Sequence, residues 1–445
     1  MGMTETLTTF AASVRFAELP PAVVTAAKRA FIDTLGVILA GAQEPCTRLV
    51  SDYCQRLGAR PEATVLGHGW RTAAPLAALV NGTAGHALDY DDVNETMHGH
   101  PSIPILPAVL ALGEQRRLTG QEAITAFVLG VEVECRLGAV MGHGHYRHGW
   151  HATATLGTLG AALAAARLLE LSPLQMRHAL GIATSMAAGS RQNFGTMTKP
   201  LHAGLAARHG LEAALLAASG FTADPDILES PMGFCRLFSP AGEAPEQALA
   251  SLGQPWALVD PGVSVKKYPC CFATHSALDA TLDLVRQHDL SAEAVQAVTV
   301  YAPPGTASIL IHPRPRTGLE GKFSMPYCIA AALLDRRLTL ATFTDAMVQR
   351  PAVQALLQGV QLVEDPEVRG FGAQVTLTLK DGRTLTQRLD APRGDPRTPL
   401  SQEELEAKFL DCATQVLPQA RAQEALTLLW RLEESKLADL AQLLA

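Results

Sequence analysis

Residues 155–171 read TLGTLGAALAAARLLEL, with no charged side chain before Arg167. A helix this apolar has no face to offer water, so other elements must surround it on most sides. Gly157, Gly160, Ala161 and Ala164 keep its profile thin and let neighbouring helices approach closely. The stretch predicts a helix buried on most sides, either in the core of a helical domain or at a dimer interface. Outward from it the pattern is helical from about residue 5 to 260. Helix starts are marked by capping boxes, Thr119 with Glu122 and Ser172 with Gln175, the second with Pro173 at the first helical position.

The texture changes near residue 262. VQAVTVYAP (295–303) reads as a strand, and 363–390 holds two alternating runs joined by Asp381-Gly382, a strong hairpin signal. Helical stretches such as YCIAAALLDRR (327–337) lie between them. APRGDPRTPL (391–400), rich in proline, reads as a linker. Ser401 with Glu404 then opens a third capping box, and the chain is helical to its end. The expected fold is mostly α with an α+β insert. A large all-helical domain is built from both chain ends (1–263 and 394–445), and a smaller α+β lid domain spans 264–393.

Composition agrees with this picture. Of 445 residues, 48% are hydrophobic, 18% charged and only 5% aromatic, a mix for closely packed helices rather than a β-sandwich. The net charge of −7 and the lack of a basic stripe argue against a nucleic-acid partner. An anionic substrate would depend on local positive charge. The opening MGMTETLTTFAASVRF lacks the basic start and apolar run of a secretory leader, and the apolar stretch 22–42 carries Lys28, Arg29 and Asp33. No membrane partner is expected, and the expected location is cytoplasmic, with reduced thiols.

Five stretches concentrate chemistry-bearing residues. In HALDYDDVNETMHGHPS (86–102) a metal would draw on Asp89, Asp91, Asp92, His98 and His100, yet the spacing matches no metal motif. A solvated loop, capping aspartates and an acid–base site are the alternatives. HGHYRHGWHATATLG (143–157) holds His143, His145, His148 and His151, and nothing in the spacing makes three converge on zinc. His151 stands just before the apolar helix, where the dipole lowers its pKa and leaves a neutral base; the others read as loop residues. GSRQNFGTMTKPLHAG (189–204) reads as a loop whose Arg191 and Lys199 suit a carboxylate, or are simply two solvated cations. GVSVKKYPCCFATHSALDA (262–280) brings Lys266, Lys267, Cys270, Cys271 and His275 to the junction. A cysteine–histidine nucleophile is conceivable there, and small packing residues are the plainer alternative. HPRPRTGLEGKFSMPYC (312–328) adds Arg314, Arg316, Lys322 and Tyr327, the last a hydrogen-bond donor or acid if it is not core.

Taken in order, HALDYDDVNETMHGHPS, GWHATATLG, GTMTKPLHAG, VKKYPCCFATH and GKFSMPYCIAAALLD resemble the MmgE/PrpD family of 2-methylcitrate dehydratase, cis-aconitate decarboxylase and iminodisuccinate epimerase. The resemblance spans about residues 80 to 335. It implies an active site without metal or cofactor in the cleft between two domains, a homodimer, and a small polycarboxylate substrate. It also implies functional positions at Asp89, His100, His151, Lys199, Lys266 and Tyr327. Two positions depart from the decarboxylase branch of the family. Cys271 stands where that branch has a histidine after the lysine–aromatic–proline turn, and Val93 aligns with its threonine.

The expected activity is that of a metal-independent lyase, dehydrating a citrate-like hydroxy acid by proton abstraction next to a carboxylate. An epimerase of a dicarboxylate, a cis-aconitate-type decarboxylase and a carboxylate-binding scaffold without chemistry are the alternatives. In the lyase reading His100, His151, Asp89 and Tyr327 are catalytic. Lys199, Lys266, Arg191, Cys271 and His275 bind substrate, and no metal or cofactor takes part.

Overall fold

A computed structural model describes residues 2–239 and 248–445. The helices that position the site are α1 (Pro21–Gly41), α2 (Ala74–Ala87), α3 (Ser102–Arg116), α4 (Gly120–Arg147), α5 (Ala152–Leu168), α6 (Pro173–Met186) and α7 (Thr198–Ala218). Later in the chain come α8 (His275–Gln287), α9 (Met325–Asp335) and α10 (Gln402–Ala413). The apolar stretch forms α5, and every residue of it except Arg167 is buried. It packs against α3, α4, α6 and α7. Its glycines explain how close they come. A Cβ on Gly157 would lie 2.5 Å from Pro104 of α3, and one on Gly160 would lie 2.9 Å from the Gly130 carbonyl of α4. All three capping boxes are formed, at Thr119, Ser172 and Ser401.

The apolar interior falls into two large clusters. One joins residues from Met3 to Val265 with residues from Leu400 to Leu444, and the other runs from Tyr268 to Leu379. The second is built on a four-stranded sheet of β3 (Val295–Ala302), β4 (Val360–Glu364), β5 (Ala373–Leu379) and β6 (Thr384–Leu389), in the order β4-β3-β5-β6. Strand β3 pairs parallel with β4 and antiparallel with β5, and β5 and β6 form the hairpin across Asp381-Gly382. Burial alternates strictly along β5, as a strand with one covered face requires, and α8 packs on β5 and β6.

Four details differ from the expectation. A two-stranded sheet, β1 (Ala63–Val65) with β2 (Trp70–Thr72), interrupts the helical half. Residues 143–147 are not loop: after a kink at Gly142 (φ 57°) they continue α4. Lys199 lies in the first turn of α7 rather than in the loop before it. The stretch 391–400 has neither helix nor strand, yet it is docked. Arg393 bonds Asp279 and Asp283, and the buried Asp395 holds Arg397. No helix among the described residues is long and apolar enough to cross a membrane.

Candidate active site

Helix α2 ends at Ala87, and the chain turns on Asp89 with φ 51°, a left-handed conformation costly to most side chains. Three ammonium groups hold this turn. Lys322 Nζ donates to the Leu88 carbonyl (2.6 Å), Lys266 Nζ to the Asp89 carbonyl (2.7 Å) and Lys408 Nζ to the Tyr90 carbonyl (2.9 Å). All three lysines are buried, and they come from distant parts of the chain. Lys322 also donates to the Pro269 carbonyl, and Lys408 to the Lys266 carbonyl. Lys408, on α10, pairs with Asp33 of α1 at 2.6 Å. Hydrogen bonds from a charged donor contribute about 1.5–3 kcal/mol each, enough together to hold a strained turn.

The side chains on this turn form a charged cluster. Asp89 Oδ1 accepts from Lys199 Nζ at 2.5 Å, and Asp89 Oδ2 lies 3.1 Å from Lys266 Nζ. Burial alone would raise the Asp89 carboxyl, but Lys199 and Lys266 together overcome it and hold it far below the usual range. Asp91 is buried too, and His100 and His86 hold it well below normal against the same burial penalty. Its Oδ2 lies 2.8 Å from His86 Nδ1 and 3.3 Å from His100 Nδ1. His86 Nε2 faces Lys199 Nζ at 2.9 Å. An ammonium group has no lone pair, so Nε2 accepts and the Nδ1–H of His86 donates to Asp91. Burial pushes His86 down to about 3 despite Asp91.

His151 caps α5, is 1% exposed, and sets its Nδ1 3.1 Å from Nδ1 of His202. Burial, with Lys199 and His86 nearby, keeps its pKa well below normal. His202 is pushed down to about 4, again by burial first and Lys199 second. Two neutral rings thus share one proton across the two Nδ1 atoms.

Asp89, His100, His151, Lys199, Lys266 and Cys271 meet at one cavity of about 110 Å³. A water fills roughly 10–15 Å³ on this measure, so the space suits a small organic acid. Tyr146, His98, Val93, Phe194, Phe272, Ala273, Ile309, Phe323 and Phe371 complete most of the wall. The Phe194 and Phe323 rings each have their centroid 5.4 Å from Lys199 Nζ.

Three expected site residues do not line it. Tyr327 is fully buried and its hydroxyl donates to the Thr342 carbonyl, so it belongs to the second core. His275 sets Nε2 3.2 Å from the Cys270 carbonyl and packs its ring against Tyr268 and Phe272. Arg191 donates to the Tyr146 carbonyl (2.8 Å) and lays its guanidinium 3.6 Å over the Tyr146 ring, and it does not line the cavity. His86, Asp91 and His202 belong to the site and were not among the expected site residues. Helical spacing offered one signal: His202 follows Lys199 by three positions, on the same face of α7.

Ligand atoms of His86, Asp89, Asp91 and His100 lie within 4.8 Å of one another, the spacing a metal ion would need. Lys199 Nζ already occupies His86 Nε2 and Asp89 Oδ1, so an ion in that group would have to displace it. Asp92 accepts from Ser102, and His98 stacks on His143 at 4.2 Å, so neither joins that group.

A family model for the MmgE/PrpD N-terminal domain matches residues 5–247, and one for the MmgE/PrpD C-terminal domain matches 268–434. Cis-aconitate decarboxylase of Homo sapiens is 32% identical over 450 residues, which cover 97% of this chain and 92% of the relative. The mouse (Mus musculus) protein of that name is 33% identical over 435 residues, 94% of this chain and 88% of its own. The one from Aspergillus terreus (strain NIH 2624 / FGSC A1156) is 29% identical over 471 residues, 100% of this chain and 95% of its own.

Proposed function

The chain belongs to the MmgE/PrpD family, and from that premise we propose that it is a metal-independent lyase acting on a small polycarboxylate, with dehydration of a hydroxy acid as its reaction. The observation that carries this reading is the contrast between two imidazoles on one cavity. His151 has no carboxylate within hydrogen-bond reach, whereas His100 has Asp91 on one nitrogen and Asp89 3.9 Å from the other. Burial lowers the pKa of both rings, but at His100 Asp91 works against it in favour of imidazolium, whereas His151 has no such anion and stays neutral.

In this reading His151 donates Nδ1–H to His202 and turns a free Nε2 to the substrate. That nitrogen takes the proton from the carbon beside a carboxylate. Lys199 and Lys266 hold the carboxylates and stabilise the charge that builds on them, in a cavity where preorganised cations act more strongly than water. His100 gives a proton to the leaving hydroxyl. The C–H and C–O bonds break, a C=C bond forms and water departs. A proton then returns from His151 to His100 through solvent. The segment carrying the second core would act as the lid.

Decarboxylation is the second reading, favoured by the name that the relatives share. Proton NMR in D2O with 2-methylcitrate, citrate, cis-aconitate and iminodisuccinate tests both. A new vinyl signal with loss of hydroxy acid is the expected result. Carbon dioxide released from cis-aconitate would replace the first reading by the second. Deuterium uptake beside a carboxylate without change of skeleton would replace both by an isomerase.

A further inference from the structure

The cavity lining holds two chemically different kinds of group. Apart from His100, which the lyase reading assigns to the leaving hydroxyl, its cations among the described residues are Lys199 and Lys266, and both already lean on Asp89. Each ammonium has three N–H donors. Lys199 spends two on Asp89 and His86, and Lys266 spends two on the carbonyl and carboxylate of Asp89. One donor from each is left for a ligand. No arginine among the described residues lines the space; Arg191 is stacked on the Tyr146 ring. Tyr146 and His98 add neutral groups only.

Much of the remaining lining is hydrocarbon. Phe272 and Phe371 meet edge to face at 4.8 Å, and Val93, Ala273 and Ile309 complete a wall with no side-chain donor. Ser276 fixes it by donating to the Phe371 carbonyl at 2.6 Å. Val93 and Cys271 both line the cavity. Burial pushes the Cys271 thiol up to about 12, so it brings no charge. A third carboxylate against this wall would lose its water and gain no cation in return.

We propose that the substrate presents two carboxylates to Lys199 and Lys266 and a short hydrocarbon arm, in place of a third carboxylate, to Val93, Phe272 and Phe371. This rests on the polycarboxylate reading above and narrows it to alkyl-substituted dicarboxylates.

The test uses unreactive ligands and the unaltered protein. Titration calorimetry compares succinate, methylsuccinate, propylsuccinate and tricarballylate. Burying a methylene gains about fourfold in affinity. Propylsuccinate should therefore bind about tenfold or more tighter than methylsuccinate, and tighter than tricarballylate. The Val93→Thr, Cys271→His double variant should narrow or reverse the preference over tricarballylate. A flat or falling alkyl series, or tricarballylate binding tightest to the unaltered protein, overturns the hydrocarbon arm and leaves the polycarboxylate reading standing. No binding by any of the four overturns both.

Discussion

Residues 86–100 and 143–151 are both dense in histidine, and the fold uses them differently. In the first, His86 and His100 turn their Nδ1 atoms to one carboxylate oxygen of Asp91, and Lys199 closes the network. In the second, His145 is satisfied by the Phe238 carbonyl and the Thr155 hydroxyl, and His143 and His148 are exposed. Only His151, at the end of that stretch, reaches the cavity. The difference lies in what each ring meets when buried. A backbone carbonyl and a hydroxyl fix a histidine in place, whereas a carboxylate or an ammonium also sets its charge.

That contrast can be broken in four places. The largest effect is expected from His151→Ala. Loss of a general base should lower kcat by roughly 10²–10⁴-fold with ligand affinity nearly unchanged. A loss under tenfold would mean that another group is the base.

Next comes Asp91→Asn. It removes a charge-assisted bond of about 1.5–3 kcal/mol, roughly 10–100-fold in kcat. Without the anion, imidazolium at His100 is less favoured, so the pKa of that group in the pH–rate profile should fall. An unmoved profile would separate Asp91 from the chemistry.

The third is thermal stability against pH. Burial puts His86, His98 and His202 at about 3, 4 and 4, below their ordinary 6.5. The folded state binds fewer protons than the unfolded one between these values. Stability is then full above pH 6.5 and drains as the pH falls toward 4. Asp92, raised to about 7 by burial, pulls the other way with Asp33 and Glu134, but the buried histidines whose pKa is lowered outnumber these three carboxyls. Tm should fall from pH 7 to 4.5, and a flat curve would mean that these rings are charged in the fold.

The smallest effects belong to the second stretch. His145→Ala should cost about 1–3 kcal/mol in denaturant unfolding with kcat/KM unchanged. His148→Ala should stay within about 0.5 kcal/mol. A fall in kcat/KM with intact stability for either would erase the distinction.

Much of the fold was legible because it is written in local pattern. The apolar run of α5, the three capping boxes and the Asp381-Gly382 hairpin each need only neighbours in sequence. The site was legible in part. Asp89, His100, His151, Lys199, Lys266 and Cys271 converge as expected, while Arg191, Tyr327 and His275 do not. Nothing local separates the two sets. Arg191 is turned aside by the Tyr146 ring, and Tyr327 by a carbonyl fifteen residues further on. His86 was hidden for the opposite reason: as the one histidine of an apolar helix it looks like core, and only the turn at Asp89 brings Asp91 back against it.

The lysines on the Leu88, Asp89 and Tyr90 carbonyls also set an order in time. Translation delivers the Asp89 turn early, Lys266 and Lys322 later, and Lys408 only after the second core has been made. Until Lys408 arrives, the carbonyls of Tyr90 and Lys266 lack their partner and Asp33 lacks its counter-charge. A nascent chain therefore holds most of the cavity-lining residues for much of its synthesis before the Asp89 turn is fully braced. The last brace comes when a helix far along the chain docks on one near its beginning.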